Sequence, residues 1–287
     1  MHVEIAEVRR ALENDEVVPF FQPLVELRTG RLTGFEVLTR WQHQELGFIL
    51  PGNFISLAED HGLIGLLTEQ ILQKALSSAI LLPDPLTLAV NISPSQLQDL
   101  SLPEQICGAA VKGRLPPARL TVEITESALL GDLNRAKAIA HELKAIGCRL
   151  SLDDFGTGYS SMVHLQALPF DELKIDRSFV SSMTRARESR KIVAAVVGLG
   201  HSLNMTTVGE GIETEQQADM LLWLGCEVGQ GWLYGKPVPA DEISGLIAAG
   251  PQSTLAGLPT PGDGWAVSSL EALPTQRLGC IDIFLEV

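Results

Sequence analysis

The sequence predicts an α/β protein, a TIM-like (β/α)8 barrel in which short buried strands alternate with helices around a mostly parallel sheet. Three observations carry that expectation. Eight β-like runs recur between about residue 17 and about residue 248, with helical patterns between them and no break in composition. Several of the runs are nearly continuous apolar segments, as strands buried on both faces require. A chain of 287 residues with 45% hydrophobic content is long and apolar enough to bury one large core.

The runs come in order. VVPFFQPLV (17–25) and LTGFEVLTR (32–40) open the series, followed by LTLAVNIS (86–93) and LTVEIT (120–125). Next is a helix, because Leu133, Ala136, Ile139, Ala140, Leu143 and Ile146 fall at helical spacing and Gly147 is placed to end it. RLSLDD (149–154), ELKID (172–176) and TTVGEG (206–211) continue the strands. Thr214 and Gln217 then form a capping box at the start of TEQQADMLLWLG, which ends at Gly225 before the last run, CEVGQG (226–231). Both helices leave through Gly-Cys, at Gly147-Cys148 and Gly225-Cys226, a weak internal repeat consistent with stacked αβ units. From about Gly250 to Gln276 the chain is dense in Pro, Gly, Ser and Thr, which reads as a linker or tail. The closing RLGCIDIFLEV carries no assigned function.

Charge and cysteine usage narrow the function. The 35 acidic against 21 basic residues give a net charge of -14, which opposes non-specific binding to nucleic acid polymers or to an anionic membrane. An anionic substrate would then need a cation as intermediary. Four separated cysteines without a C-x-x-C pair suggest neither a zinc ribbon nor a disulfide framework, and fit reduced thiols in a cytosolic, cytoplasmic protein. The longest apolar run, IVAAVVGLG at 192–200, is about half of what a membrane span needs, and the N-terminus lacks a signal-peptide core, so no membrane insertion is expected.

In a barrel of this kind, polar residues at the C-terminal ends of strands face the active site. Those positions hold Glu36, Asn91, Glu123, Asp153, Asp154, Lys174, Glu210 and Gln230. Any one acidic residue there could be a helix N-cap or a surface charge. Their convergence on one rim is different, because like charges gathered there repel unless cations are bound. Oxygen donors without His or Cys select Mg²⁺ or Mn²⁺ over zinc. The adjacent pair Asp153-Asp154 is a natural bridge between two ions, and two ions about 3.5–4 Å apart form a clamp used to hydrolyse phosphodiesters. Lys174 is then expected beside the attacking water.

The loop that follows, DDFGTGYSS, has Gly156 and Gly158 for turns, with Thr157, Ser160 and Ser161 able to tie it down. DFG alone does not make a kinase, since no G-x-G-x-x-G loop or H-R-D stretch accompanies it. No H-E-x-x-H, G-x-S-x-G or GGDEF-like stretch is present either.

In the stretches FFQPLV, GFEVLTRW, VNIS, VEITES, DDFGTGYSS, LKIDRSFV, GEGIET and GQGWLYGKP, the chain resembles the EAL-domain family of cyclic di-GMP phosphodiesterases, over roughly residues 5 to 248. The resemblance implies a barrel with one irregular, antiparallel strand, in a phosphodiesterase domain at 1–248 followed by a Pro/Gly-rich extension at 249–287 of no assigned role. It implies that Glu36, Asn91, Glu123 and Asp153 hold one metal, with Asp153 and Asp154 serving a second and Glu210 close by. Lys174 would contact the catalytic water and Gln230 would order the water network. Gln22, Leu38 and Arg40 match substrate-holding positions, Arg40 being suited to phosphate because its planar fork donates in pairs. Glu126 matches the residue that anchors the DDFGTG loop.

The implied reaction opens cyclic di-GMP to linear pGpG with two Mg²⁺ or Mn²⁺ ions, Ca²⁺ being expected to inhibit. A homodimer and an upstream sensory or cyclase domain are implied as well. Departures are few: Val37 stands where the family name has Ala, Gly209 replaces the usual Ala before Glu210, and His164 sits where an aromatic is common. The alternative is a catalytically silent receptor for the same dinucleotide. Such members usually lack one or more site residues, and none is missing here.

Overall fold

A computed structural model describes residues 3–156 and 162–249. The expected extension lies, from Gly250 on, outside the described residues, and so do Thr157, Gly158, Ser160, Ser161 and the side chain of His164. In chain order the elements are α1 (Ile5–Glu13), β1 (Val17–Glu26), β2 (Leu32–His43), β3 (Gly47–Ile49), α2 (Ile55–Asp60) and α3 (Ile64–Ser78). They continue as β4 (Thr87–Ile92), α4 (Leu102–Gly113), β5 (Leu120–Thr125), α5 (Leu133–Ile146), β6 (Arg149–Phe155), α6 (Met162–Ala167) and β7 (Glu172–Ile175). The last are α7 (Arg177–Ser182), α8 (Arg187–Ser202), β8 (Thr206–Gly209), α9 (Glu215–Leu224), β9 (Val228–Gln230) and α10 (Ile243–Ala249).

The strands are ordered β1-β9-β8-β7-β6-β5-β4-β2-β3, and β1 also pairs with β2, so the sheet closes on itself. Each neighbour pair from β2 through β4 to β9 is parallel. β1 runs antiparallel to both of its neighbours, β2 and β9, and its register against β2 shifts between Leu24 and Val25. The barrel with one irregular antiparallel strand is therefore observed, all eight predicted runs forming its staves. The sequence reading missed β3, a three-residue strand hairpinned onto β2 outside the barrel.

Alternation along each strand sorts the side chains. On β6, Leu150 and Leu152 belong to the main hydrophobic core, while Arg149, Ser151 and Asp153 take the other face. A separate small cluster of Leu24, Ala89 and Val208, with Val228 against it, lies on that inner face. The inside of the barrel is thus apolar at mid-height and polar at the rim.

Both predicted helices form where their caps require. On α5 the Asp132 carboxylate accepts hydrogen bonds from the amides of Asn134 and Arg135 at 3.0 and 3.2 Å, an N-cap that contributes about 1 kcal/mol. Its Ala136, Ile139, Ala140 and Leu143 are buried, with Leu133 and Ile146 packed at the edge. On α9 the capping box is reciprocal, Gln217 N donating to Thr214 Oγ1 and Thr214 N donating to Gln217 Oε1. Gly147 and Gly225 end these helices at φ +104° and +95°, backbone positions where a side chain is strained. The apolar run at 192–200 lies within α8, and among the described residues no helix is long and apolar enough to cross a membrane.

Candidate active site at the carboxyl ends of the strands

Parallel pairing brings the polar strand ends to one rim. Register places Asn91 level with Glu123 and Thr125 level with Asp153, while antiparallel pairing sets Gln22 across from Glu36 and Leu24 across from Gln230. Glu36, Glu123, Asp153, Lys174, Gln230 and Gln22 are all buried.

At the centre is the Lys174 ammonium, 1% exposed. Its Nζ lies 2.7 Å from Glu210 Oε1, 2.9 Å from Glu123 Oε2, 3.4 Å from Asp153 Oδ1 and 3.6 Å from Glu36 Oε2. Burial works against this charge, yet Asp153, Glu123, Glu210 and Glu36 together hold its pKa well above the ordinary lysine value. The solvent-facing position of a typical lysine is excluded.

The amides organise Glu36. Asn91 Nδ2 donates to its Oε1 at 2.8 Å and Gln230 Nε2 to its Oε2 at 2.5 Å. Burial alone would raise Glu36, but Lys174 and these two donors outweigh it and keep the carboxyl below the usual range. Gln230 Nε2 also reaches Gln22 Oε1 at 3.0 Å, and Gln22 Nε2 donates to the Gly235 carbonyl at 3.3 Å. Glu123 and Glu210 go the other way. Burial, reinforced by Glu36 for Glu123 and by Asp153 for Glu210, pushes both well above the usual carboxylate range.

Asp153 and Asp154 sit side by side, the Asp154 amide donating to Asp153 Oδ1 at 2.8 Å. Asp154 adopts φ +57°, a left-handed conformation that a non-glycine residue rarely takes and that turns its side chain back toward the rim. Its pKa is raised to about 6 by burial, then by Asp153 and Asp176. Asp153, Asp154 and Glu210 bring carboxylate oxygens within 4.8 Å of one another. That cluster, made only of hard oxygen donors, fits Mg²⁺ or Mn²⁺. Gln230 Oε1 is buried and, among the described residues, meets no hydrogen-bond donor, so it is a further oxygen facing the rim.

The remaining predicted residues surround this centre. Glu126 begins the single-turn helix after β5, and its Oε2 accepts a hydrogen bond from the Gly156 amide at 3.0 Å, so it holds the start of the DDFGTG loop. Leu38 lines a cavity of about 350 Å³ together with Glu36, Asn91, Ser93, Pro94 and Thr125. Arg40 lies two residues beyond Leu38 on the same face of β2, half-buried, with Nη1 donating to the Thr39 carbonyl at 2.8 Å. Burial lowers the Arg40 pKa and Glu36 opposes that effect.

Asp176 escaped the sequence reading. It is buried, caps α7 by accepting from the Ser178 amide at 2.9 Å and from the Ser178 hydroxyl, and faces Asp154 closely enough to raise its pKa. The signal was present, since Asp176 follows Lys174 by two residues and so shares its face of the ELKID strand.

The EAL domain family model matches residues 5–237. The bifunctional diguanylate cyclase/cyclic di-GMP phosphodiesterase MucR of Pseudomonas aeruginosa is 39% identical over 84% of this chain and 36% of its own length. The cyclic di-GMP phosphodiesterase RocR of the same organism is 37% identical over 83% of this chain and 62% of its own length. Among solved structures, a PaMucR phosphodiesterase in complex with c-di-GMP superposes with a TM-score of 0.80 at 39% identity, covering 83% of this chain and 98% of that one. The chain spans about a third of the length of several curated relatives it matches.

Proposed function

The chain belongs to the EAL domain family, and from that premise we propose that it is a metal-dependent phosphodiesterase that hydrolyses cyclic di-GMP to linear pGpG. One observation carries the reading: six oxygen-donor residues from five strands, Glu36, Asn91, Glu123, Asp153, Asp154 and Glu210, converge on a single rim around Lys174. The similarity to a phosphodiesterase solved with c-di-GMP supports the choice of substrate.

Glu36, Asn91, Glu123 and Asp153 would hold one divalent ion, Mg²⁺ or Mn²⁺, and Asp153 with Asp154 a second, Glu210 lying beside them. Such ions, when bound, neutralise phosphate charge and make water a stronger nucleophile near neutral pH. The chain's own groups do the rest. Gln22, Leu38 and Arg40 hold the dinucleotide, Arg40 donating to a phosphate. The free Gln230 Oε1 accepts a hydrogen bond from the attacking water and so orients it. Glu210, beside the Asp153–Asp154 pair at the rim, is placed to take the water's proton. Lys174, 2.7 Å from it, steadies the negative charge that develops on the phosphate oxygens. One P–O bond to a ribose 3′ oxygen breaks, water supplies the new oxygen on phosphorus, and the 3′ oxygen leaves with the proton that Glu210 has taken from that water.

The setting is proposed on the same footing. The chain would be one module of a longer cytoplasmic signalling protein, controlled by a sensory or cyclase domain and acting as a homodimer that lowers the second-messenger level. The test is chromatography of cyclic di-GMP incubated with the purified chain and Mg²⁺ or Mn²⁺, with and without chelator. Formation of pGpG that chelator abolishes is the expected outcome. Unchanged turnover in chelator would remove the metal from the account.

A further inference from the structure

The centre of the rim already contains a cation supplied by the chain. Lys174 stands on β7 level with Val208, while Glu210 lies two residues further toward the rim. Its Nζ therefore rises from below into oxygens contributed by four other strands or strand ends: Glu36, Glu123, Asp153 and Glu210. The ammonium is 1% exposed, so water contributes almost nothing to balancing those four carboxylates. Ionised together without a cation, four buried acids would repel one another strongly, because burial removes the solvent screening that makes surface charge clusters tolerable.

We propose that Lys174 is a resident counter-cation. Its ammonium holds the carboxylate rim together in the metal-free protein, and divalent ions enter against its charge for the same oxygens. Only the second half of this inference rests on the metal-dependent reading. The first follows from the lysine's place among the carboxylates. The arrangement would let the barrel fold and keep its ligands converged before any metal is bound, and it would weaken metal affinity relative to a rim with no lysine.

Lys174→Met tests both halves without an activity readout. In chelator, the variant is expected to melt about 5 °C or more below the parent chain, because an interior charge cluster has lost its counter-charge. In Mn²⁺ titrations followed by electron paramagnetic resonance, it is expected to bind about tenfold or more tightly, since a nearby positive charge has gone. The double variant Lys174→Met/Glu210→Gln separates charge from packing. Removing one carboxylate should recover part of the lost melting temperature, which a lysine acting only as filler would not produce. If the single variant does not fold in chelator, recovery by Glu210→Gln or by Mn²⁺ supports the proposal, and recovery by neither overturns it. A metal-free single variant as stable as the parent also overturns it. If the parent chain binds no Mn²⁺ at all, the metal-dependent reading and the competition fall together, while the melts still decide the counter-charge role.

Discussion

Loading the rim with metal should release protons, and Asp154 sets where. Its pKa is raised from 3.8 to about 6 by burial and by the neighbouring Asp153 and Asp176. A carboxyl with a raised value in the folded state binds protons more tightly there than in the unfolded chain, so it favours folding below pH ~4 and loses that contribution as pH rises through about 6. At about 1.4 kcal/mol per factor of ten this amounts to about 3 kcal/mol, and because Asp154 is only half-buried, screening reduces it to about 1–2 kcal/mol. A divalent ion requires the carboxylate, so binding at pH 6 should expel about half a proton from Asp154 alone, falling to about a hundredth at pH 8. Glu123 and Glu210, both raised by burial, add to that release. The assay is calorimetric titration of the chelator-stripped protein with Mg²⁺ in buffers of different ionisation enthalpy at pH 6 and pH 8. Metal binding at pH 6 without proton release would refute the reasoning.

Other consequences are sharper for single residues. Glu36→Ala should abolish turnover, because it removes the carboxylate on which Asn91 and Gln230 converge, whereas Arg40→Ala should mainly raise KM; equal loss of kcat in both would contradict the binding role of Arg40. Ca²⁺, which takes more ligands at longer distances than a compact two-ion site offers, should inhibit when titrated against Mg²⁺, and robust activity with Ca²⁺ alone would contradict the assignment. Gly231→Ala should lower stability by about 2 kcal/mol or more in denaturant unfolding, since its Cβ would lie 2.1 Å from the Ile212 carbonyl oxygen and 2.2 Å from its amide nitrogen, backbone atoms that cannot swing away.

Much of the fold is legible because buried strands and capped helices write themselves locally. The runs at LTVEIT and RLSLDD, the Asp132 and Thr214 caps, and the glycine exits at 147 and 225 need only neighbours in the chain to be recognised. Strand direction is not local in that way. Nothing in VVPFFQPLV says that β1 runs against its neighbours, and the expectation came from family resemblance. The physical signal lies in the connection: residues 27–31 are too few for a helical crossover, and Gly30 turns at φ +68°, which forces a hairpin. β3 was missed because GFI is three residues long, begins with glycine and leaves Phe48 exposed, so no alternation develops.

The site shows the same division. Strand-end position identified which side chains reach the rim, since a parallel register carries each end to the same height. It did not tell that the charge of four carboxylates closes on one lysine, because Lys174 Nζ meets Glu36 and Glu210 from opposite ends of the sequence. Asp154 could be read as a ligand, but its left-handed backbone and its contact with Asp176 come from the irregularity near the end of β6, where the register against β7 shifts between Leu152 and Phe155, which sequence spacing does not specify.

The most direct test of the central claim is a stoichiometric incubation of the purified chain with cyclic di-GMP and Mg²⁺ in ¹⁸O-labelled water, followed by mass spectrometry of the nucleotide. The account predicts linear pGpG carrying one labelled oxygen on its terminal phosphate, absent when chelator is added. Cyclic di-GMP bound to the chain yet recovered intact and unlabelled would contradict it, and would make the protein a receptor for the dinucleotide.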